Sequence, residues 1–164
     1  MKLLDQKQIS QKIKRLAIEI LENNFEEKAL YIGGINNNGL AFAKMLISAI
    51  KKVDTEIELN LFNIKLNPAS PAENPIEIDV ELTDLKTKSI LVVDDVANTG
   101  RTLFYAFKPL IDILPKKIEV AVLVDRKHKK FPVKVDYMGI SLATTVKENI
   151  DVRLKGSVKE VLMS

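Results

Sequence analysis

The sequence contains no cysteine. A disulfide framework, a thiolate nucleophile and a thiolate metal site are therefore all excluded. Its one histidine, His128, cannot build a metal site alone. No run approaches the roughly 18 consecutive apolar residues that a membrane-spanning helix needs. The start, MKLLDQKQISQKIKRL, scatters charges among apolar residues at helical spacing and lacks the continuous apolar core of a signal peptide. A Walker loop, GxxxxGK followed by Ser or Thr, is missing. Repeats and linker-like stretches are also missing. These absences predict a cytoplasmic protein that does not engage a membrane.

What is present fits one ordinary domain. The 164 residues, 46% of them apolar, are enough to bury a real core, and residues 1–164 read as a single unit. The net charge of +3 permits an anionic ligand without demanding nucleic acid.

The pattern predicts an amphipathic helix over 5–23, with Ile9, Ile13, Leu16, Ala17 and Ile20 on one face. ALYIGG (29–34) reads as a buried strand and 40–52 as a second helix. TEIELNL (55–61) and IEIDVEL (76–82) alternate, so 55–84 reads as a two-stranded arm. Its tip, 67–75, is a flexible loop holding three of the chain's prolines. SILVVDD and IEVAVLVD (118–125) are continuous apolar strands. Residues 102–114 form a helix that Pro109 kinks, and 133–140 gives a fifth strand. Apolar strands alternating with helices predict an α/β fold: a mostly parallel sheet of about five strands with helices on both faces. Ligands of such sheets sit at the carboxyl ends of the strands, where three loops gather: 33–39, 94–102 and 125–132.

The most informative stretch is ILVVDDVANTGRT, residues 90–102. An apolar strand ends in Asp94 and Asp95, and a short polar loop then opens a helix. The first amides of that helix lack internal partners and carry the positive end of its dipole. Gly100 lets the backbone approach a ligand, Thr99 and Thr102 add hydroxyls, and Arg101 adds a cation. Together these make a phosphate cradle. Asp94 and Asp95 cannot touch that phosphate. One sugar length away they suit ribose hydroxyls, or a water-coated Mg²⁺. A single ligand carrying both groups is a sugar phosphate. A receiver domain also places aspartates after an apolar strand, but that strand opens its domain, and too little chain follows Asp94 here.

This stretch resembles the phosphoribosyl pyrophosphate (PRPP) motif of type I phosphoribosyltransferases. YIGGINNNGLAFAKML, TEIELNLF and IEVAVLVDRKHKKFPVKVDYMG are similar to the branch of bifunctional pyrimidine operon regulators that are also uracil phosphoribosyltransferases. The resemblance implies a hood over the base, drawn from about 126–155, and PRPP used with Mg²⁺. It also implies uracil as acceptor, with UMP and pyrophosphate as products. It assigns the ribose and a water-bridged Mg²⁺ to Asp94 and Asp95, as the catalytic pair. Ala97, Asn98, Thr99, Gly100, Arg101 and Thr102 would hold the 5′-phosphate, and Ile35, Asn36, Asn37, Asn38 and Gly39 the pyrophosphate. In the hood, Tyr137 would stack on the base and the Met138 backbone would read its edge, with Asp125 facing it. A homo-oligomer is expected.

The sequence departs from this family in three places. The first loop, close to GIxTRG in the family, is Gly34-Ile35-Asn36-Asn37-Asn38-Gly39, which has lost a cation. The arm strand, close to LYRDD in the family, is Leu61-Phe62-Asn63-Ile64-Lys65, and residues 66–85 contain no Lys or Arg while carrying Glu73, Glu77, Asp79, Glu81 and Asp84. Asn98 stands where this branch has tyrosine and purine-specific relatives have an acid, which leaves no general base in the cradle. Asn98, and Asp125 where purine enzymes tend to have lysine, argue against purine salvage. The nucleotide half is thus intact and the pyrophosphate half thinned. The second expectation is therefore a regulator that senses UMP or PRPP with reduced catalysis. Lys12, Lys14, Arg15 and the run Arg126-Lys127-His128-Lys129-Lys130 are the candidates for RNA contact.

Overall fold

The computed structural model describes all residues, 1–164. Strand β1 (Lys2–Leu4) leads into helix α1 (Gln6–Asn23). Asp5 starts that helix with a capping box: its carboxylate accepts from Gln8 N at 2.8 Å, and Gln8 Oε1 accepts from Asp5 N at 2.9 Å. The stripe Ile9, Ile13, Leu16, Ala17 and Ile20 is buried, as its spacing requires. Each such aliphatic side chain contributes about 1.5–3 kcal/mol, so Leu16→Ala removes about 2–5 kcal/mol.

Strand β2 (Ala29–Ile35) runs directly into α2 (Asn36–Val53). Strand β3 (Glu58–Lys65) follows, with the two-residue β4 (Glu77–Ile78) antiparallel beside it. One turn of helix, α3 (Leu82–Leu85), precedes β5 (Ser89–Ala97). Helices α4 (Arg101–Ala106) and α5 (Lys108–Ile111) are separated at Phe107, with Pro109 in the first turn of α5. The kink expected at Pro109 is therefore a full break. Strands β6 (Lys117–Arg126), β7 (Tyr137–Leu142), β8 (Ile150–Arg153) and β9 (Glu160–Met163) complete the chain.

The main sheet has six strands in the order β4-β3-β2-β5-β6-β7. Five are parallel, and β4 is an antiparallel edge. Helices α1 and α2 cover one face, over a core that includes Ile9, Leu16, Phe42 and Leu123. Helices α3, α4 and α5 cover the other, over Leu85, Leu103, Leu110 and Val92. The parallel α/β expectation holds. The arm is shorter than 55–84 predicted, because β3 and β4 pair only at Ile64–Ile78 and Lys65–Glu77.

A second sheet, β1-β9-β8, joins the two ends of the chain. The residues expected in the hood, about 126–155, divide between the two sheets. The small sheet draws on residues 2–4 and 150–163, whereas 126 and 137–142 belong to the main sheet. No helix is long and apolar enough to cross a membrane.

Candidate active site

Parallel pairing brings the carboxyl ends of β2, β5 and β6 to one rim. Gly34 is level with Val93, Asp94 with Val122, and Ala97 with Asp125. There a cavity of about 470 Å³ opens, lined by Asn36, Asn37, Asn38, Asp94, Asp95, Asn98 and Thr102, with Ile35, Val96, Pro68 and Ile150.

The first wall is the loop after β5. Asp94 is 9% exposed, and its carboxylate accepts from Asp95 N at 2.9 Å. Burial pushes its carboxyl well above the ordinary range, and the neighbouring charge and side chain of Asp95 add to the effect. Asp95 is more open. It accepts from Val96 N at 2.8 Å and from Asn38 Nδ2 at 3.1 Å. Gly100 stands before α4 at φ 84°, a left-handed conformation that favours glycine. The Thr99 carbonyl is held from behind by Lys130 N (2.9 Å) and Phe131 N (3.1 Å), so the loop 126–132 braces the cradle. Arg101 reaches sideways, donating to Pro68 O at 2.7 Å and tying the cradle to the arm loop.

The second wall is the start of α2. Asn36 adopts φ 50°, a region asparagine tolerates. Its Oδ1 accepts from Leu66 N at 3.0 Å. Asn63 is buried, and its Nδ2 donates to Gly34 O (2.8 Å) and Asn36 O (3.1 Å). Asp79 on the arm accepts from Asn63 N at 2.6 Å. Asn63 is therefore not a shortened pyrophosphate contact. It is a clamp under the loop, and one of the arm's acids serves that clamp. Helix α2 also lies very close to β5: a Cβ at Gly39 would meet Val93 O at 2.6 Å.

Of the predicted residues, Asp94, Asp95, Asn98, Thr102, Ile35, Asn36, Asn37 and Asn38 share the cavity. Ala97, Thr99, Gly100, Arg101 and Gly39 lie on the same two segments without lining it. Two base-site assignments, Tyr137 and Met138, are corrected. Tyr137 is 2% exposed in the core. Its hydroxyl donates to Glu119 Oε2 at 2.9 Å, beside the amide of the helix-capping Asn24. Burial, then that carboxylate, push its hydroxyl far above the usual tyrosine value. Tyr137 opens β7 opposite Ala121, whereas the rim is at Arg126–Leu142. Five residues of strand, roughly 16 Å, separate it from the site. Met138 follows in the same strand, and its carbonyl accepts from Arg15 Nη2 at 3.2 Å. Asp125 does reach the rim, but its carboxylate is turned to Lys129.

Sequence reasoning missed Ile150, which enters the cavity from the first residue of β8. The alternation of Ile150, Asp151 and Val152 was its only sign. The basic candidates also change. Arg15 donates to Met138 and Gly139 carbonyls on the edge of β7 and pairs with Glu19. Arg126 is buried and Lys129 is paired. Lys127 and Lys130 remain exposed, so the run divides between internal contacts and a solvent-facing part.

No lysine or arginine lines the cavity, and two aspartates do. A ligand bearing several phosphate charges then needs a cation brought with it. Two adjacent carboxylates lining one cavity suit a hydrated Mg²⁺, which takes few protein ligands. The side chains fit that ion.

The model for the "Phosphoribosyl transferase domain" matches residues 2–156. A "Bifunctional protein PyrR" from Bacillus pumilus is 32% identical over 160 residues, covering 93% of this chain and 89% of its own. A protein of the same name from Acetivibrio thermocellus is 35% identical over 161 residues, covering 93% and 86%. The crystal structure of a hypoxanthine-guanine phosphoribosyltransferase from Bacillus anthracis superposes with a TM-score of 0.73 at 23% identity, covering 86% of this chain and 81% of that one. At that identity the likeness speaks for the fold.

Proposed function

The chain belongs to the phosphoribosyltransferase family, and from that premise we propose that it transfers ribose 5-phosphate from PRPP to uracil, giving UMP and pyrophosphate. The observation that carries this reading is the single cavity in which Asp94, Asp95, Asn98 and Thr102 meet the start of α2. Helix α4 and its loop, 97–102, receive the 5′-phosphate. Asp94 and Asp95 accept from the two ribose hydroxyls. The start of α2 faces the diphosphate. Uracil lies toward Ile150 and Asn98, and its N1 forms the new bond to the sugar carbon as the bond to pyrophosphate oxygen breaks. Its N1 proton passes to solvent water or to the departing pyrophosphate, because the Asn98 amide cannot accept it.

Asp94 and Asp95 would hold Mg²⁺, which would supply charge stabilisation to the departing pyrophosphate. The protein's own part is positioning. It places the sugar between a phosphate seat and two acids, and the arm loop around Pro68 limits water at the mouth. Phe104, Ile111 and Leu114 are exposed apolar side chains on and just after α4–α5, which supports a second copy of the chain as partner.

A second reading has its own support. No cation lines the pyrophosphate side, and Asn38 donates to Asp95. The protein would then bind UMP or PRPP as a regulator and turn over slowly. Incubation with PRPP, Mg²⁺ and each nucleobase, followed by chromatography, tests both. UMP formation supports the enzyme. UMP binding without turnover of any base supports the regulator. Turnover of a purine alone overturns uracil as acceptor.

A further inference from the structure

Arg126 is the most fully engaged side chain at the rim for which the transfer reaction gives no role. It ends β6, is 7% exposed, and makes four hydrogen bonds. Its Nε donates to Thr144 Oγ1 at 2.7 Å and its Nη1 to Asn98 Oδ1 at 3.0 Å. Its Nη2 donates to the carbonyls of Thr145 (2.9 Å) and Glu148 (2.8 Å). One partner, Asn98, lines the cavity, and the others lie just before Ile150, which also lines it. Asn98 sits in the loop before α4, and residues 144–148 form the strap that delivers Ile150.

A guanidinium has five donors and no acceptor. The Asn98 atom facing it must therefore be the carbonyl oxygen, since the flipped amide would set donors against donors. The Asn98 NH₂ is left turned away from Arg126. No protein oxygen accepts from it, and Asn98 is an exposed residue. The residue lines the cavity, so the open valence of its amide is a pair of donors.

We infer that Arg126 is a positioning residue that locks the Asn98 amide so that its NH₂ faces the base. Asn98 then determines specificity: it selects a nucleobase that offers an acceptor there, a carbonyl oxygen or an unprotonated ring nitrogen, and disfavours one that offers N–H. The inference rests on the phosphoribosyl-transfer reading above. The same guanidinium fixes the strap, so the donor and Ile150 are held in one geometry relative to the sugar.

The test separates base from sugar phosphate. UMP, CMP, IMP and ribose 5-phosphate are titrated by calorimetry into the wild type, Asn98→Asp, Asn98→Ala, Arg126→Met and Arg126→Lys. Asn98→Asp keeps a partner for Arg126 but has no donor. It should weaken the preferred nucleotide roughly tenfold to a hundredfold, clearly more than it weakens ribose 5-phosphate. Arg126→Met should show the same split in weaker form, and Arg126→Lys should restore part of the loss. The inference is overturned if both Asn98 variants bind the preferred nucleotide as the wild type does, or if Arg126→Met weakens nucleotide and ribose 5-phosphate equally. Should Arg126→Met fail to fold by circular dichroism, the Asn98 variants decide alone. If IMP replaces UMP as the preferred ligand, uracil falls and Asn98 is judged on IMP. If no nucleotide outbinds ribose 5-phosphate, the base site and this inference fail together.

Discussion

The two walls of the cavity are built alike and equipped differently. Each is a loop between a parallel strand and the start of a helix: β5 into α4, and β2 into α2. The first ends in a run with two threonines, a left-handed glycine and an arginine. The second ends in three asparagines, two of them engaged with the protein, Asn36 with Leu66 and Asn38 with Asp95, while Asn63 of β3 lies beneath the loop. Helix-start geometry can therefore persist while charge is removed. Strand and helix place the backbone amides, but the strength of anion binding depends on the side chains added to them, and a charged donor is about twice as strong as a neutral one.

The largest expected effect comes from the shared centre. Replacing Asp94 and Asp95 together by asparagine should lower turnover by more than about a hundredfold, measured by pyrophosphate release. The melting temperature should not fall, because a buried carboxylate beside another is a cost to the free protein. A fall in both would assign the pair to stability instead.

Next is the clamp. Asn63→Ala leaves the Gly34 and Asn36 carbonyls without their amide partner and should cost about 1–3 kcal/mol in denaturant unfolding. Asn63→Arg should also destabilise and should not strengthen pyrophosphate binding, since the site is 6% exposed. A gain in pyrophosphate affinity at that position would restore the view that it is a lost ligand contact.

Asn38→Arg acts at the mouth itself. It should raise pyrophosphate affinity roughly tenfold while UMP affinity stays within about twofold, read by calorimetry. Equal gains for both ligands would erase the contrast between the walls.

The smallest effect is on pH. Asp94 has a folded-state value raised above its unfolded one, so the folded protein holds that proton more tightly. The stabilising contribution is full below the ordinary aspartate value of about 3.9. It is lost as pH rises from there through the raised value. Asp94→Asn should flatten that decline in thermal melts.

Much of this was legible in the sequence. ILVV and VAVLV could only be central strands, and the stripe from Ile9 to Ile20 only a helix packed on one side. The DDVANTGRT motif named its own chemistry. Other features depended on pairings that no local pattern records. Strands β1, β8 and β9 are three or four residues long and unite the two chain ends, with Lys2 opposite Leu162. IEIDVEL alternates like a strand, yet only Glu77 and Ile78 pair, and Glu81 instead precedes a helical turn. Tyr137 looked like a ligand contact because its neighbours match a motif, but the register of β7 sets it in the core against Glu119. Arg126 looked like part of a basic surface, and its burial is visible only once the strap 144–148 folds over it.

The asymmetry between the walls is tested most directly by titrating one wild-type preparation, in the presence of Mg²⁺, with UMP and separately with pyrophosphate in a calorimeter. Binding of UMP at least roughly tenfold tighter than pyrophosphate is the predicted result. Pyrophosphate bound as tightly as UMP, or more tightly, would show that the three asparagines hold the leaving group as well as a cation would, and would contradict the account.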